Sequence, residues 1–269
     1  MNNKNILITG STDGIGKQTA IELAKKNYNI ILHGKNEEKC IKIRNEVIYE
    51  TGNNNVDFVI SDFSDLNDVR KLAKHIIEKY DRLDVLINNA GVYMNEKKLT
   101  IDGYETTFAV NHLAPFLLTN LLLELLMKSE PARIINVSSI AHTKAEIDKD
   151  NINAEKYYDA YGAYALSKLA NVFFTQALAL KLDKYKITVN ALHPGVITTK
   201  LLKTGFNITG NSLQYGAETS VFLADSNEVK NITGKYFVNK KNEESSLLSK
   251  DISLINYFWE LSGKLVELV

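Results

Sequence analysis

This chain has little cysteine, little proline and no excess of charge, and each shortage excludes something. One cysteine, Cys40, rules out an intrachain disulfide and agrees with a reducing compartment. It falls in an expected helix after the second strand, where buried filler is a better reading than a nucleophile. Three scattered prolines, Pro115, Pro131 and Pro194, leave no proline-rich linker, so residues 1–269 are expected to form a single domain. Basic and acidic side chains balance at 32 each, which points away from nucleic acid and from anionic membranes. No apolar run is long enough to span a bilayer: the greasiest, Phe116 to Met127, is broken by Asn120 and Glu124 and suits a buried helix. The first expected strand begins within a few residues of Met1, leaving no room for a leader or membrane anchor. A soluble, cytoplasmic protein is expected. His33, His75, His142 and His193 are scattered without cysteine or carboxylate at metal-ligand spacing, so no metal is expected.

What is present is alternation. Strand-like stretches at Asn5–Thr9, Asn29–His33, Val56–Ile60, Val85–Ile87, Arg133–Val137, Thr188–Leu192 and Lys235–Val238 are separated by helical patterns. The expected fold is α/β: a doubly wound, Rossmann-like parallel sheet of about seven strands with helices on both faces. Its ligands belong at the carboxyl ends of the strands. The polar run Thr143 to Asp159 reads as an insertion, and residues 200–216 as a flexible lobe on the substrate side.

Two motifs carry chemistry. After the first strand come Gly10-Ser11-Thr12-Asp13-Gly14-Ile15-Gly16 and then a helix that buries Ile15, Ala20, Leu23 and Ala24. Gly10 allows a tight turn, Gly14 lets the chain approach a phosphate, and Gly16 lets helix and strand pack closely. Tyr164 and Lys168 stand four residues apart, on one face of an expected helix. A free tyrosine titrates at about 10, and bringing it near 7 takes about 4 kcal/mol of differential stabilisation. A nearby cation works in that direction. Alone, this pair is also what a solvated helix face carries by chance.

Thr9-Gly10-x-x-x-Gly14-Ile15-Gly16, Asn88-Asn89-Ala90-Gly91, Ser138-Ser139, Tyr164-x-x-x-Lys168 and Pro194-Gly195 occur in one order. Together they resemble the short-chain dehydrogenase/reductase family over nearly the whole chain. Asn111 to Thr119, Val137 to His142, Ser167 to Val172 and Trp259 to Ser262 resemble its retinol-dehydrogenase-like branch, as does the long spacing between Ser139 and Tyr164. The resemblance implies an NAD(P)-dependent oxidoreductase with Asn111, Ser139, Tyr164 and Lys168 as catalytic tetrad. Tyr164 would donate a proton in carbonyl reduction, and Ser139, rather than Ser138, would hydrogen-bond the carbonyl oxygen. Lys168 would lower the Tyr164 pKa and hold the cofactor ribose, and Asn111 would help hold a water. Cofactor contacts are implied for Gly10 to Gly16, Lys35, Asn36, Asp62, Phe63, Asn89, Ala90, Gly91, Tyr164, Lys168, Pro194, Gly195, Val196 and Thr199. Asp62 alternatively caps the next helix with Ser64, and Asn88 and Asn89 alternatively cap a strand end. Tyr157, Tyr158 and Tyr161 line a substrate mouth or simply pack, and His112 is read as a helix-face histidine.

The cofactor argument is physical. An acid at the end of the second strand would repel a 2′-phosphate, and this chain has His33-Gly34-Lys35-Asn36 there. NADP (as NADPH) is expected over NAD, with Asp13 acting against the preference. The expected substrate is a small-molecule carbonyl or alcohol, a lipophilic aldehyde or ketone. The competing readings are a non-catalytic dinucleotide sensor or scaffold and a reductase of carbon–carbon double bonds. Because Ala163 to Leu182 is apolar around most of its circumference, a homodimer through that helix is also expected.

Overall fold

The computed structural model describes residues 4–206 and 208–268. Its strands are β1 (Asn5–Ile8), β2 (Asn29–Gly34), β3 (Val56–Ile60), β4 (Val85–Asn88), β5 (Ala132–Val137), β6 (Ile187–His193), β7 (Tyr236–Val238) and β8 (Lys241–Glu243). They form one sheet in the order β3-β2-β1-β4-β5-β6-β7-β8. β1 to β7 are parallel, and β8 alone is antiparallel. The doubly wound, Rossmann-like class is as expected; the count is eight, not about seven. β8 is Lys-Asn-Glu with every residue exposed, so no apolar alternation announces it. It folds back on β7 through Asn239-Lys240, whose φ angles of 50° and 65° give the twist that two-residue hairpin turns require.

The helices are α1 (Gly14–Ala24), α2 (Glu37–Thr51), α3 (Leu66–Lys79), α4 (Thr106–Phe108), α5 (Ala114–Leu121), α6 (Leu123–Met127), α7 (Ala160–Lys181), α8 (Lys200–Phe206), α9 (Leu213–Asp225) and α10 (Ile252–Leu265). Side chains alternate across a strand, so each strand feeds two cores. Ile6 and Ile8 pack with α1, α2 and α9 on one face. Leu7 packs with α3, α5, α7 and α10 on the other. The chain runs outward from β1 to β2 and β3, then returns to place β4 on the opposite side of β1. That reversal opens a cleft at the carboxyl ends of β1 and β4.

Three of the expected regions take definite shape. The lobe at 200–216 contains α8 and the start of α9; Asn207 lies outside the described residues. The insertion ends at Asp159, whose carboxylate caps α7 by accepting from Gly162 N–H at 2.6 Å. The greasy helix α7, the ground for expecting a homodimer, is covered within the chain by α10. Phe173 stacks on Phe258 at 5.0 Å between ring centres, and Phe174 meets Trp259 at 6.1 Å. Among the described residues no helix is long and apolar enough to cross a membrane, and no group of three metal-ligating side chains comes together.

At the amino-terminal end of the sheet, Asp225 closes α9 and accepts from the Tyr28 hydroxyl, with Lys26 Nζ at 2.8 Å and Lys4 Nζ at 3.4 Å. Burial alone would raise this carboxyl, but these partners outweigh it and hold it at about 2. A depressed carboxyl stabilises the fold above its unfolded pKa and loses that contribution as pH falls through the folded one. Asp225→Asn should therefore cost about 2 kcal/mol near neutrality. The deficit should shrink between about pH 4 and pH 2 in urea unfolding, and a deficit independent of pH would contradict the ion-pair account.

Candidate active site

The site begins where three backbone segments nearly touch. A Cβ on Gly10 (φ +63°) would fall 2.7 Å from Ala90 Cα, and one on Gly16 would fall 2.5 Å from the Gly10 carbonyl oxygen. Thr9 Oγ1 accepts from the N–H groups of Asn89 (2.9 Å) and Ala90 (3.0 Å), and the Asn89 carboxamide donates to Thr9 O at 2.8 Å. The turn is also tied sideways. Gly10 N–H donates to His33 Nδ1 at 3.1 Å, so the ring proton sits on Nε2, which donates to Ser61 O at 3.1 Å. Burial pushes His33 down to about 4, and its ring stacks on Phe63 at 4.4 Å. His33 thus joins the ends of β1, β2 and β3, a role its isolated position in the sequence does not reveal.

A cavity of about 790 Å³ runs across these strand ends, within the usual size of ligand sites. Lys35 and Lys39 stand at one end, the glycine turn and Asn89 to Val92 in the middle, and Ser139, Tyr164, Lys168 and Pro194 to Thr199 at the other. Every expected cofactor residue lines it except two. Ser11 is fully buried, its hydroxyl donating to Ile8 O at 2.8 Å. Asn36 is spent as the N-cap of α2, accepting from Lys39 N–H at 2.8 Å. A Cβ on Gly14 (φ +55°) would meet only the Thr199 methyl carbon, at 3.6 Å, so the turn stays open toward the cavity. The first N–H groups of α1 face the same space, where a helix N-terminus favours a phosphate. The residues present fit a dinucleotide.

At the Lys35 end the charges are paired. Asp13 caps α1 by accepting from Gly14 N–H and meets Lys200 at 2.7 Å and Lys39 at 3.1 Å. Its hydrogen bond to Lys200 leads the causes that hold its carboxyl at about 2. Asp62 accepts from Ser64 N–H (3.0 Å) and Oγ (2.8 Å), with Lys35 at 3.4 Å. It does not cap the next helix: Asp65 caps α3. Neither Lys39 nor Lys200 was expected here, because they sit in helices remote in sequence from the glycine turn.

At the other end the structure brings Ser139, Tyr164 and Lys168 to one wall. Ser138 points away, its hydroxyl donating to Lys168 O at 2.8 Å. Tyr164 is 7% exposed; burial pushes its phenol up to about 12, with the Ser139 hydroxyl pulling the other way. Lys168 Nζ lies 5.5 Å from the Tyr164 ring centre and donates to Val137 O at 3.0 Å. Burial lowers it to about 8. The net shift of the phenol is thus upward, where Lys168 was expected to bring it down, because burial disfavours the charged form of both groups. Asn111 does not line the cavity. It sits in a π-helical turn, Ala109–Leu113, that joins α4 to α5, a distortion often found near sites. Its carboxamide grips Val92, accepting from N–H at 2.7 Å and donating to O at 3.0 Å.

Tyr93 and Phe206 complete this end and were not expected. Tyr93 lies 5.5 Å from Tyr164 and 5.2 Å from Phe206, ring centre to ring centre. With Met94, Val110, Leu201, Leu202 and Ile208, Phe206 makes the wall beyond Tyr164 largely apolar, and Tyr93 packs against Tyr164 and Phe206. Tyr161 lines the same cavity. Tyr157 and Tyr158 line a separate one of about 320 Å³, Tyr158 donating to Met94 O at 2.7 Å. Asn88 is structural, its carboxamide donating to Thr119 Oγ1 and Asn136 Oδ1.

The family profile described as short chain dehydrogenase matches residues 4–207. Retinol dehydrogenase 13 of Homo sapiens is 41% identical over 281 residues, covering 98% of this chain and 85% of that protein. Retinol dehydrogenase 14 of Homo sapiens is 37% identical, covering 100% and 88%. Among solved structures, an uncharacterized protein from Mycobacterium paratuberculosis superposes with a TM-score of 0.82 at 28% identity, covering 98% of this chain and 93% of that one. A short chain dehydrogenase from Escherichia coli CFT073, complexed with NADPH, gives 0.72 at 28% identity, covering 90% and 98%.

The packing around Gly10 yields a test with an internal control. Gly52, at φ +71°, has nothing within 4 Å of where a methyl would go, so Gly52→Ala should cost only backbone strain, about 1 kcal/mol. Gly10→Ala should cost clearly more and weaken nucleotide binding, since its methyl meets the Ala90 backbone. Equal losses in thermal unfolding would mean the close approach is unimportant.

Proposed function

The chain belongs to the short chain dehydrogenase family and is an NAD(P)-dependent oxidoreductase, and from that premise we propose that it uses NADPH to reduce a lipophilic aldehyde or ketone, with Tyr164 as proton donor. The observation that carries this reading is the trio of Ser139, Tyr164 and Lys168 on one wall of a cavity whose far side is apolar. When bound, the nicotinamide supplies the hydride. The protein's part is protonic and electrostatic. A phenol pushed up to about 12 by burial stays protonated at neutral pH, ready to give its proton to a carbonyl oxygen that is gaining charge. Ser139 donates a hydrogen bond to the same oxygen. Lys168, titrating at about 8, is largely charged at neutrality and stabilises the tyrosinate left behind. Asn111 acts at one remove, holding Val92 and so the segment that carries Tyr93.

The apolar rings and aliphatic side chains beyond Tyr164 support a lipophilic substrate, and the retinol dehydrogenase names of the relatives agree. Work in the cytoplasm is supported by the single buried Cys40. All the site residues come from one chain. A sensor or scaffold would not need the trio intact. Reduction of a double bond draws support from no residue beyond those that serve carbonyl reduction equally well.

Two measurements test the reading. Tyr164→Phe keeps the ring packing and deletes the titrating oxygen, so NADPH oxidation with a panel of aldehydes, ketones and retinaldehyde should fall about 10²–10⁴-fold while cofactor binding persists. Retention of more than about a tenth of the rate would remove Tyr164 from the acid role. For the cofactor, Lys35 is 73% exposed at its side chain beside Asp62, and Asp13 is already neutralised by two lysines. NADPH should bind about 5- to 150-fold more tightly than NADH, an advantage that Lys35→Ala and added salt both reduce. Equal affinities in the wild type would reject NADPH as the preferred cofactor.

A further inference from the structure

We propose that His142 is a positioning residue that sets the direction of the Ser139 hydroxyl and ties that setting to the C-terminal segment. The proposal rests on the reading of Ser139 as a hydrogen-bond donor to the substrate. Ser139 opens a 3₁₀ turn, Ile140–Lys144, and its Oγ accepts from Ala141 N–H at 3.2 Å. A hydroxyl that accepts from its own turn has its hydrogen left to give elsewhere, and Ser139 faces the cavity. The turn therefore decides whether the serine is presented as a donor.

His142 is what holds the turn. It is 0% exposed, and its ring folds back on the chain. Nδ1 lies 2.7 Å from the Ser139 carbonyl oxygen, which only accepts, and Nε2 lies 3.0 Å from the Ser246 N–H, which only donates. Both bonds are made by one neutral tautomer, with the proton on Nδ1. The ring rests on Tyr236 at 4.7 Å, so it cannot turn without disturbing β7. Ser246 is itself fixed: its carbonyl accepts from the Ser249 hydroxyl at 2.6 Å and its hydroxyl from Ser249 N–H at 3.3 Å, while Ser249 Oγ accepts from the Ser245 hydroxyl at 2.7 Å. One imidazole thus connects the end of β5, which carries Ser139, to the segment after β8. Misplacing a reacting group by about 1 Å can cost 10²-fold in rate, so a clamp on this carbonyl has leverage on turnover.

The two ring nitrogens can be replaced separately. In His142→Asn the amide N–H₂ takes the place of Nδ1–H and keeps the Ser139 contact. In His142→Gln the amide oxygen takes the place of Nε2 and keeps the Ser246 contact. With NADPH and nonanal, kcat should stay near wild type in His142→Asn and fall about 10- to 100-fold in His142→Gln. KM and NADPH binding, followed by cofactor fluorescence, should change little in either. A merely structural histidine would lower both variants alike, in step with their thermal stability, and that result would overturn the proposal. Hydrogen exchange gives a readout without turnover: residues 140–144 should loosen in His142→Gln only, and residues 244–250 in His142→Asn only. If wild type fails to oxidise NADPH with nonanal or any other carbonyl, the functional reading falls, and the exchange pattern still decides whether the clamp exists. If neither variant folds, the ¹⁵N spectrum of the wild-type imidazole decides it: a ring protonated at Nδ1 alone supports the clamp, and the opposite tautomer or a charged ring sinks it.

Discussion

The contact on which the site depends is the approach of the Gly10 backbone to Ala90, with room for no side chain between them. It exists because β1 and β4 are neighbours while the chain between them goes out to β2 and β3 and back. Two strand ends must then share one cleft, and any bulk at Gly10 or Gly16 would push them apart. Thr9, Asn89 and His33 supply the polar side of that closure, each satisfying backbone groups that the turn leaves without a ladder partner. The buried imidazole of His33 shows how far this goes: it gives up its charge in exchange for two hydrogen bonds to backbone. With the turn fixed, α1 starts at the cavity wall, where the Asp13 carboxylate accepts from its first N–H group, that of Gly14.

Burial also sets the chemistry at the far end, and in a way that residue spacing alone misstates. Four positions on a helix suggest a lysine lowering a tyrosine. In the folded protein Lys168 Nζ turns toward Val137 O, and the low dielectric around both groups drives their pKa values past each other, the phenol to about 12 and the ammonium to about 8. That arrangement favours a neutral phenol over a standing phenolate. The rings of Tyr93 and Phe206, packed on Tyr164, add to its burial.

The sheet and most of the site were legible in the sequence because their signals are local. Apolar runs mark the buried strands, glycines mark the turn, and Tyr164 and Lys168 lie about one helical turn apart. What was not legible depends on contacts between distant segments. Lys39 and Lys200 reach Asp13 from separate helices, and Phe206 meets the ring of Tyr93, more than a hundred residues away in sequence. β8 has no apolar residue at all. Ser11 and Asn36 lie within the right segments but point into the fold or into a helix cap, a distinction that only side-chain direction makes.

The C-terminal region beyond residue 207 lies outside the matched family profile, yet it is built into the core. α10 covers the apolar side of α7 that would otherwise need another surface, through Phe258 and Trp259. Two histidines, read from sequence as scattered or as a helix face, are among its polar attachments, beside Arg70 to Val266 O and Tyr104 to Leu265 O. His112 reaches Ser262 at 2.7 Å from the π-helical turn of Asn111, and His142 reaches Ser246 at 3.0 Å from the turn of Ser139. His112 directly follows Asn111 and His142 lies three positions after Ser139, so these two attachments adjoin the candidate site. Burial keeps both rings neutral, His112 at about 4, which fits them for hydrogen bonding to neutral partners and not for proton transfer. Histidines that carried no metal pattern in the sequence therefore share a physical sense: His33, His112 and His142 each use both ring nitrogens to tie together segments distant in sequence.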